Sequence, residues 1–467
     1  MNWKQWVSFF LWILINPHLS LEQTYDPTTL VFPTYLHTYG IRKATRFHLF
    51  MFFQNRVKFR DPQALAVVRL QAWEDSTTER DDDEVTVYGV NSGQNNIIYN
   101  RSMTSLGVYG LEELGIQRLN RPHGIAANSR GDVYIADTGN HRIVRLFNPG
   151  RALKYASAIG DRGSSPGKFY SPYGVALDSQ GRIYVTDRDN HRIQVLDKDN
   201  RFLRQFGFRT DELCRLISPT GIAVIDSSEK WNFHKDSFIV VIDSMNQRIQ
   251  KLSLRGKRLA QTNALKCGYP NANLLWTAID YYGQIYVTDR ENHCIHKFDR
   301  RLKYLTKYGR NGTADKEFIE PRGITIYRRF GQLFVAEEAG AQYYWIGVDV
   351  FNFRARFDEK DKWVHLRFFL TEPSFITGDV FDDQNEFVTK ICEQKFMLAG
   401  FQQDYWNLRI SQFEPDPIDD THLIQTEKYR KLNRVPPGRY VLKFKFEPTY
   451  SSYQYFFKEK QSEIIVK

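Results

Sequence analysis

The sequence has few cysteines, which stabilise small domains as disulfides, and few long apolar segments of the kind that span membranes. Its 467 residues include only four cysteines, too few for a disulfide framework, and no two have the paired spacing of a metal-binding motif. Cys214 and Cys267 each precede a repeat, so a bridge between them is one interpretation, and free buried thiols are the preferred one. Beyond the N-terminus no segment is long and apolar enough to span a bilayer, which takes about 20 residues.

The N-terminus has the pattern of a secretory signal. One lysine precedes the ten-residue run WVSFFLWILI at residues 6–15, which is too short to cross a bilayer. The pattern predicts a signal peptide at residues 1–20, with cleavage after Ser20. No cysteine follows that could carry a lipid anchor. We therefore expect a protein that is secreted, periplasmic or located at the cell surface.

The remaining composition is that of a folded β protein. Hydrophobic residues make up 42% and aromatic residues 15% of the chain, which is not the composition of a disordered protein. The formal net charge is +10. A basic chain suits anionic partners, but solubility explains the charge as well and is the interpretation that we prefer.

One stretch of sequence recurs with a period of about 50 residues. PYGVALDSQGRIYVTDRDNHRIQVLD, which starts at Pro172, has a close copy in PHGIAANSRGDVYIADTGNHRIVRLF, which starts at Pro122. Weaker or divergent copies start at four further prolines, Pro62, Pro219, Pro270 and Pro321. Each copy has four short apolar strands separated by turn signals. Six such units predict an all-β fold, a six-bladed β-propeller.

The last repeat lacks a fourth strand, and the N-terminal region has a spare one. Fourth strands end in L-x-x-[YF]-G, as in LGVYG, LRQFG and LTKYG, and the same pattern occurs as LHTYG at residues 36–40. The repeat from Pro321 supplies three strands before the sequence changes. We therefore expect residues 36–40 to complete the sixth blade and close the ring, which removes exposed sheet edges.

Each repeat has a cluster of polar residues that invites a chemical interpretation. In TDRDNHRI (residues 186–193), we expect Asp187 to accept hydrogen bonds from turn amides and Asn190 to adopt the positive φ of a tight turn. We expect Arg192 to bind backbone carbonyls or a carboxylate of the neighbouring blade. Near-copies occur in four repeats, whereas a catalytic site needs only one. The motif is therefore predicted to be architectural.

The sequences GNHRI, DNHRI and ENHCI, set after [VI]-[TA]-D, resemble NHL repeats over roughly residues 34–350. The resemblance implies a propeller that binds proteins or RNA, a sensor ectodomain of a bacterial kinase, or, in one branch, a zinc-dependent amidating lyase. That branch has zinc-binding histidines at the P-x-G position of three blades. Here only His123 occupies such a position, and one histidine cannot form a three-ligand zinc site. No metal, cofactor or catalytic residue is predicted.

The P-x-G and D-x-x-N-H-R loops should emerge on one side of the propeller, which we call the P-x-G face. The x positions are Gln63, His123, Tyr173, Thr220, Asn271 and Arg322, and the residues after the motif aspartate include Arg188 and Arg290. A ring of such groups forms a natural pocket. The candidate ligand-binding residues are His123, Tyr173, Arg188, Asn271, Arg290 and Arg322. Ordinary solvated loop tips are an equally supported interpretation.

Two further segments, a long loop and an acidic run, have compositions that could suit a binding site. The long loop IRKATRFHLFMFFQNRVKFRD (residues 41–61) combines basic and aromatic residues, which predicts a lid or docking surface, or else simple packing over the channel mouth. The composition also suits RNA, but the secretory signal argues against nucleic acid. The acidic run ERDDDE (residues 79–84) lacks the spaced ligands and glycine of a calcium loop and is expected to be a solvated tip.

The repeats stop after Val350, and alternating strands follow. Seven or eight short strands predict an Ig-like β-sandwich over residues 355–467. The combination F-x-L-T-E-P, L-A-G and V-P-P-G-R-Y-V-L resembles the immunoglobulin-like module of flagellar hook-capping proteins. The longer polar segment between Trp406 and Val435 departs from that pattern. A spacer or attachment role is expected.

The predicted domains are a signal peptide (1–20), a six-bladed NHL propeller (34–352) and an Ig-like sandwich (355–467). The expected function is non-enzymatic binding of a protein, peptide or glycan on the P-x-G face by a monomer with no transmembrane span. The alternative is a propeller-type lyase or hydrolase that uses the same face.

Overall fold

The structure is a computed structural model that describes residues 28–31, 43–73, 85–102, 105–208, 214–263, 265, 268–338, 340–410 and 433–467. The predicted signal peptide, the predicted closing strand at 36–40, the acidic run at 79–84 and Cys267 lie outside these ranges. Within them, the elements are strands apart from short turns and one α-helix, α1 (Arg46–Phe53). No described helix has the length and apolarity needed to span a membrane.

The described residues of the repeat region form six antiparallel sheets, which we number along the chain by their innermost strands. Strands β1 (Leu30–Val31) and β2 (Lys43–Ala44) come first and belong to sheet 6. Sheet 1 contains β3 (Pro62–Arg69), β4 (Val85–Asn91), β5 (Asn96–Ser102) and β6 (Ser105–Tyr109). Sheet 2 contains β7 (Ile125–Ala127), β8 (Asp132–Asp137), β9 (Arg142–Phe147) and β10 (Lys154–Ile159). Sheet 3 contains β11 (Pro172–Leu177), β12 (Ile183–Asp187), β13 (Arg192–Leu196) and β14 (Phe202–Phe206).

The remaining repeat sheets follow the same order. Sheet 4 contains β15 (Pro219–Ile225), β16 (Phe238–Asp243), β17 (Arg248–Leu252) and β18 (Arg258–Asn263). Sheet 5 contains β19 (Leu274–Ile279), β20 (Ile285–Asp289), β21 (Cys294–Phe298) and β22 (Tyr304–Tyr308). Sheet 6 contains β23 (Ile324–Tyr327), β24 (Gln332–Glu337) and β25 (Gly340–Ile346), together with β1 and β2.

The six innermost strands lie side by side, as in a β-propeller. Strands β3, β7, β11, β15, β19 and β23 contact one another in that order, and β23 also contacts β3. The glycine of P-x-G allows this approach. A Cβ at Gly174 would meet the carbonyl oxygen of Thr220, and one at Gly323 would meet that of Gln63, so any side chain there would push neighbouring sheets apart. Strand β12 is buried along its whole length and β14 is largely not, as expected for middle and outer strands.

The N-terminal strands pair with the last sheet on both sides of the predicted closing segment. Leu30 lies opposite Ile346 and Val31 opposite Trp345, while Lys43 lies opposite Gln342 and Ala44 opposite Ala341. Both pairings are antiparallel and involve the outer edge of β25. Residues flanking 36–40 therefore occupy the edge at which the sequence predicted a fourth strand.

The C-terminal residues form two more antiparallel sheets around a separate core. One contains β26 (Val350–Asp358), β27 (Trp363–Leu370) and β30 (Gly400–Trp406). The other contains β28 (Ser374–Phe381), β29 (Phe387–Met397), β31 (Gly438–Pro448) and β32 (Lys458–Val466). We call these seven strands the C-terminal module.

The C-terminal module contacts the repeat sheets through a buried polar cluster. Glu372 forms an ion pair with Lys297 of β21 and accepts a hydrogen bond from Gln284, Nε2 to Oε2 2.8 Å. Asp280 lies in the same cluster, and burial together with the charge of Glu372 raises the pKa of Asp280 to about 8. Two carboxyl groups thus share one lysine, and we infer that one of them holds a proton at neutral pH.

Candidate functional site

In sheets 2, 3 and 4 the motif aspartate joins the loop before the first strand, the turn after the second strand and the start of the third strand. In sheet 3 the carboxylate of Asp187 is fully buried and accepts hydrogen bonds from Tyr170 N at 2.7 Å, Asn190 Nδ2 at 2.8 Å and Arg192 Nε at 2.8 Å. Asp137 and Asp243 accept the equivalent bonds in sheets 2 and 4. The predicted architectural role therefore agrees with these contacts, since the same network recurs around the structure.

One detail of the motif differs from the sequence prediction, whereas Arg192 makes one of the two kinds of contact predicted for it. The positive φ falls on His191, at 55°, and not on Asn190, because residues 188–190 form a single 3₁₀ turn and β13 begins at Arg192. Arg192 pairs with the carboxylate of its own sheet, and its guanidinium also donates to the carbonyls of Ser164 and Lys168 in the loop that precedes the sheet. Of its two predicted partners it thus binds backbone carbonyls, and among the described residues no carboxylate of a neighbouring sheet pairs with it.

The motif histidine links adjacent sheets. His191 Nδ1 accepts the backbone N–H of Ser218 at 3.0 Å, just before the first strand of the next sheet. His141 and His293 do the same for Ser171 and Glu320. These histidines hold loops in place, which explains their recurrence without any chemistry.

Several side chains at the P-x-G positions point inward and pack together. Tyr173 stacks on His123 with ring centroids 4.3 Å apart and on Trp276 at 5.5 Å. Gln63 lies across the structure from Tyr173, and its Oε1 is 3.5 Å from the tyrosine hydroxyl. Tyr173, Gln63 and Trp276 are all buried. The centre of the P-x-G face is therefore filled by side chains.

The strand register corrects one predicted site residue, Asn271. Pro172 lies opposite Asp187 in sheet 3, whereas Leu274 lies opposite Asp289 in sheet 5. Leu275 thus occupies the x position assigned to Asn271, and its carbonyl lies where a Cβ on Gly221 would be. Asn271 is exposed and precedes the strand.

Trp276 was not identified from the sequence, because the count began at Pro270. Trp276 occupies the position of the P-x-G glycine in other repeats. Pro122 and Pro172 precede their motif aspartates by fifteen residues. Counting fifteen residues back from Asp289 leads to Leu274 and so identifies Trp276. The proline at position 270 was a misleading landmark.

The predicted arginines surround the aromatic stack. Arg188 lies over the Tyr173 ring, 5.4 Å from its centroid, and its side chain is partly exposed. Arg290 pairs with Glu320 at 2.7 Å, and Arg322 pairs with Glu320 and Asp61. Arg322 is buried and held on both sides, so Arg188 and Arg290 are better placed than Arg322 to meet a ligand.

His123 is neutral at physiological pH. Burial lowers the pKa of His123 to about 4, and the charges of Arg188 and Arg121 act in the same direction against the opposing hydrogen bond to the Arg121 carbonyl. Nδ1 donates to that carbonyl at 2.9 Å. A neutral, stacked imidazole serves as a binding surface and supplies no positive charge.

The long loop places apolar side chains at the rim of this face. Helix α1 buries Leu49, whereas Phe47 and Met51 are each 65% exposed and Phe50 is 51% exposed. The chain after the helix is fixed to sheet 1, where Lys58 N donates to Gln94 Oε1 at 2.7 Å. The helix therefore holds an apolar surface towards solvent and does not bury its aromatic residues over the channel.

A cavity lies on the other side of the aromatic stack. Its volume is about 760 Å³, and it is lined by the innermost strands and by the hairpins that follow them. Trp276 Nε1 and Thr277 Oγ1 are buried there without a hydrogen-bond partner among the described atoms. Lys230 and Arg329 lie at the hairpin end. The cavity thus opens away from the P-x-G face, where the sequence had predicted a pocket.

Comparison with known proteins agrees with the repeat assignment. The NHL repeat model matches residues 119–146, 169–196 and 280–298, so the chain contains NHL repeats. No curated protein matches the chain.

Several solved propeller structures are distantly similar. A streptogramin B lyase is 16% identical, with a TM-score of 0.41 over 62% of this chain and 94% of that one. Virginiamycin B lyase from Staphylococcus aureus is 14% identical, with a TM-score of 0.38 over 57% and 81%. A gluconolactonase from Xanthomonas campestris is 13% identical, with a TM-score of 0.40 over 69% and 98%. These likenesses are too distant to transfer an activity.

Proposed function

We propose that this chain is a secreted or envelope-associated binding protein whose P-x-G face takes an acidic, apolar segment of a protein or peptide. The six repeat sheets are proposed to be the blades of a propeller whose ring the N-terminal segment closes. The C-terminal module is proposed to be an Ig-like spacer or attachment domain. The cyclic contacts of the innermost strands and the pairing of β1 and β2 with β25 support the closed ring.

The observation that carries the binding proposal is the exposed apolar surface of α1. Phe47, Phe50 and Met51 project from an eight-residue helix that buries only Leu49. Leu114 (80% exposed) and Ile116 (62% exposed) lie on the loop between sheets 1 and 2. That loop contacts the segment after α1 through the ion pair of Arg56 with Glu112 at 3.0 Å. Contiguous apolar side chains on a protein surface commonly mark interaction sites.

Charge on the same face selects the partner. Arg46, Lys58 and Arg60 are exposed around α1, and Arg188 and Arg290 are partly exposed at the centre. Basic groups around an apolar patch favour a partner that carries both carboxylates and apolar side chains. Exposed carboxylates that could bind glycan hydroxyls, such as Asp61 and Asp189, also lie on this face. The exposed apolar surface of α1 therefore decides the choice, and we favour a polypeptide.

The alternative is a lyase or hydrolase that uses the same face. An enzyme needs a pocket for its substrate and an acid or base that can reach it. On the P-x-G face the central side chains are packed together, and His123 is tied to the Arg121 carbonyl. Binding therefore accounts for this geometry better than catalysis.

The test uses defined probes and face-specific variants. A labelled 15-residue peptide of glutamate, leucine and phenylalanine, polyglutamate, and a neutral oligosaccharide are titrated by fluorescence anisotropy or calorimetry. We expect the mixed peptide to bind most tightly. The double variant Phe47→Ser/Met51→Ser should weaken it at least tenfold, about 1.4 kcal/mol, and Arg188→Glu should add to the loss.

The matched control is Leu259→Ser, which changes a 51% exposed residue of an outer strand and should leave binding unchanged. Equal losses in the control and in the face variants would contradict the proposal. Preferential binding of the oligosaccharide, unaffected by Phe47→Ser/Met51→Ser, would replace the polypeptide partner by a glycan.

A further inference from the structure

Sheet 5 lacks the arginine that neutralises the motif aspartate in other sheets. Arg192 Nε lies 2.8 Å from Asp187 in sheet 3, and Arg248 Nε lies 2.7 Å from Asp243 in sheet 4. The equivalent arginine position in sheet 5 holds Cys294, which lies opposite Asp289 in the same register. The repeat therefore keeps its buried carboxylate and loses its permanent cation.

A second substitution accompanies the first. Gln194 and Gln250 donate to the motif carboxylates of sheets 3 and 4 at 3.1 Å. In sheet 5 this position is His296, whose Nε2 lies 2.9 Å from Asp289 Oδ2. Two structural ligands of the aspartate have thus been replaced by the two residue types that bind transition metals most often.

The three side chains converge in a buried position. Cys294 Sγ lies 3.8 Å from His296 Nε2, and ligand atoms of Asp289, Cys294 and His296 are all within 4.8 Å of one another. The residues are 0–1% exposed. The Asp289 carboxylate accepts hydrogen bonds from Asn273 N at 3.0 Å and Asn292 Nδ2 at 2.7 Å, but these neutral donors do not balance its buried charge, which is costly. Among the described residues, His296 is the only side chain in ion-pair contact with Asp289 that can carry positive charge.

We propose that Asp289, Cys294 and His296 bind one divalent transition-metal ion of the zinc type, which supplies the positive charge that arginine supplies elsewhere. Tetrahedral zinc with bonds of about 2.3 Å to sulfur and 2.0 Å to nitrogen places those atoms about 3.5 Å apart. The sulfur-to-nitrogen distance of 3.8 Å is close to that value. The oxygen-to-nitrogen distance of 2.9 Å needs to open by a few tenths of an ångström.

The chemistry of binding is a simple exchange of protons for metal. The Cys294 thiol loses its proton to become a thiolate, and His296 binds as a neutral imidazole through Nε2 with its proton on Nδ1. The ion thus replaces the thiol proton and, where His296 is protonated on both nitrogens, the Nε2 proton. A donor set of thiolate, imidazole and carboxylate suits zinc better than magnesium or calcium, which prefer oxygen. The three side chains would leave one position of a tetrahedral ion for a further donor. Because the residues lie within a sheet, the site is structural.

The experiment measures metal content and spectra on the full chain. Purified protein is dialysed against zinc, passed over a desalting column and assayed by elemental analysis, with an expected stoichiometry near one ion per chain. Replacement with Co²⁺ should produce thiolate-to-cobalt charge-transfer absorption. This measurement needs no variant, so a folding defect cannot obscure it. Absence of both bound zinc and the absorption overturns the proposal.

Variants locate the ion. Cys294→Arg/His296→Gln recreates the arrangement of sheets 3 and 4 and should fold while losing the ion. Cys392→Ser removes a half-buried thiol outside the cluster and should keep it. A second group, Asp358, Asp361 and His365, is more exposed, and His365→Ala should also keep the ion. Retention of zinc in Cys294→Arg/His296→Gln, or its loss in His365→Ala, overturns the assignment.

Discussion

Replacing Asp187 by asparagine tests whether the recurring polar cluster is architecture. Asp187 is fully buried and accepts four hydrogen bonds, from Tyr170 N, Asn190 Nδ2, Arg192 Nε and Gln194 Nε2. Asparagine has the same shape but no charge, and its amide nitrogen would face donors. Removing one partner of a buried ion pair costs about 3–5 kcal/mol.

The lower end of that range applies here. Arg192 keeps contacts with the carbonyls of Ser164 and Lys168 and with Gln205 Oε1 at 2.6, 2.9 and 2.8 Å. Its charge therefore remains partly solvated by dipoles. We expect Asp187→Asn to lower the free energy of unfolding by about 3 kcal/mol, measured by urea denaturation with tryptophan fluorescence.

The control is Asp189→Asn, two residues away and partly exposed, which should cost less than about 0.5 kcal/mol. A loss below about 1 kcal/mol in Asp187→Asn would refute the reasoning. So would an Asp187→Asn protein of normal stability that no longer binds its partner, since the cluster would then be functional.

Three further predictions concern the contacts between the repeat sheets and the C-terminal module and those between adjacent sheets. Lys297→Met leaves Glu372 and Asp280 without a cation and should cost about 3 kcal/mol, seen as a lower melting temperature. Because the folded pKa of Asp280 is raised to about 8, its contribution to stability is complete below about pH 4 and is lost as pH rises through about 8. Thermal melts from pH 5 to 9 should show this decline in the wild type and a flatter profile in Asp280→Asn. His191→Ala should cost about 1–2 kcal/mol in urea denaturation, because the Ser218 N–H loses its acceptor, whereas His191→Asn should retain most of the stability.

The repeated sequence motif allowed the all-β fold with four-stranded repeat sheets to be predicted. The same D-x-x-N-H-R pattern in several repeats indicated a structural role, and the contacts of Asp187 agree with it. The conformation of the turn was harder to predict from the sequence. Asparagine is the usual residue at positive φ, yet His191 adopts it, because the register between β12 and β13 leaves that position after the 3₁₀ turn.

The candidate site was predicted less well because it depends on contacts between repeats. Asn271 was chosen by counting from a proline, while the strand register places Leu275 and Trp276 at the centre. The exposure of α1 was one of two interpretations that the composition allowed. The Lys297–Glu372 pair joins residues distant in sequence, and neither has a motif that would reveal the other.

The proposed closed ring defines the two faces and the position of every candidate residue, so its direct test is a crosslink between the N-terminal strand β2 and strand β25 of sheet 6. Ala44 lies opposite Ala341, and directly opposed residues in antiparallel strands lie within the range that a disulfide spans. Ala44→Cys/Ala341→Cys should form an intramolecular crosslink on mild oxidation, identified by mass spectrometry of tryptic peptides. Ala44→Cys/Ala278→Cys, which pairs β2 with the innermost strand β19, should not. Equal crosslinking in both variants, or none between positions 44 and 341, would contradict the account.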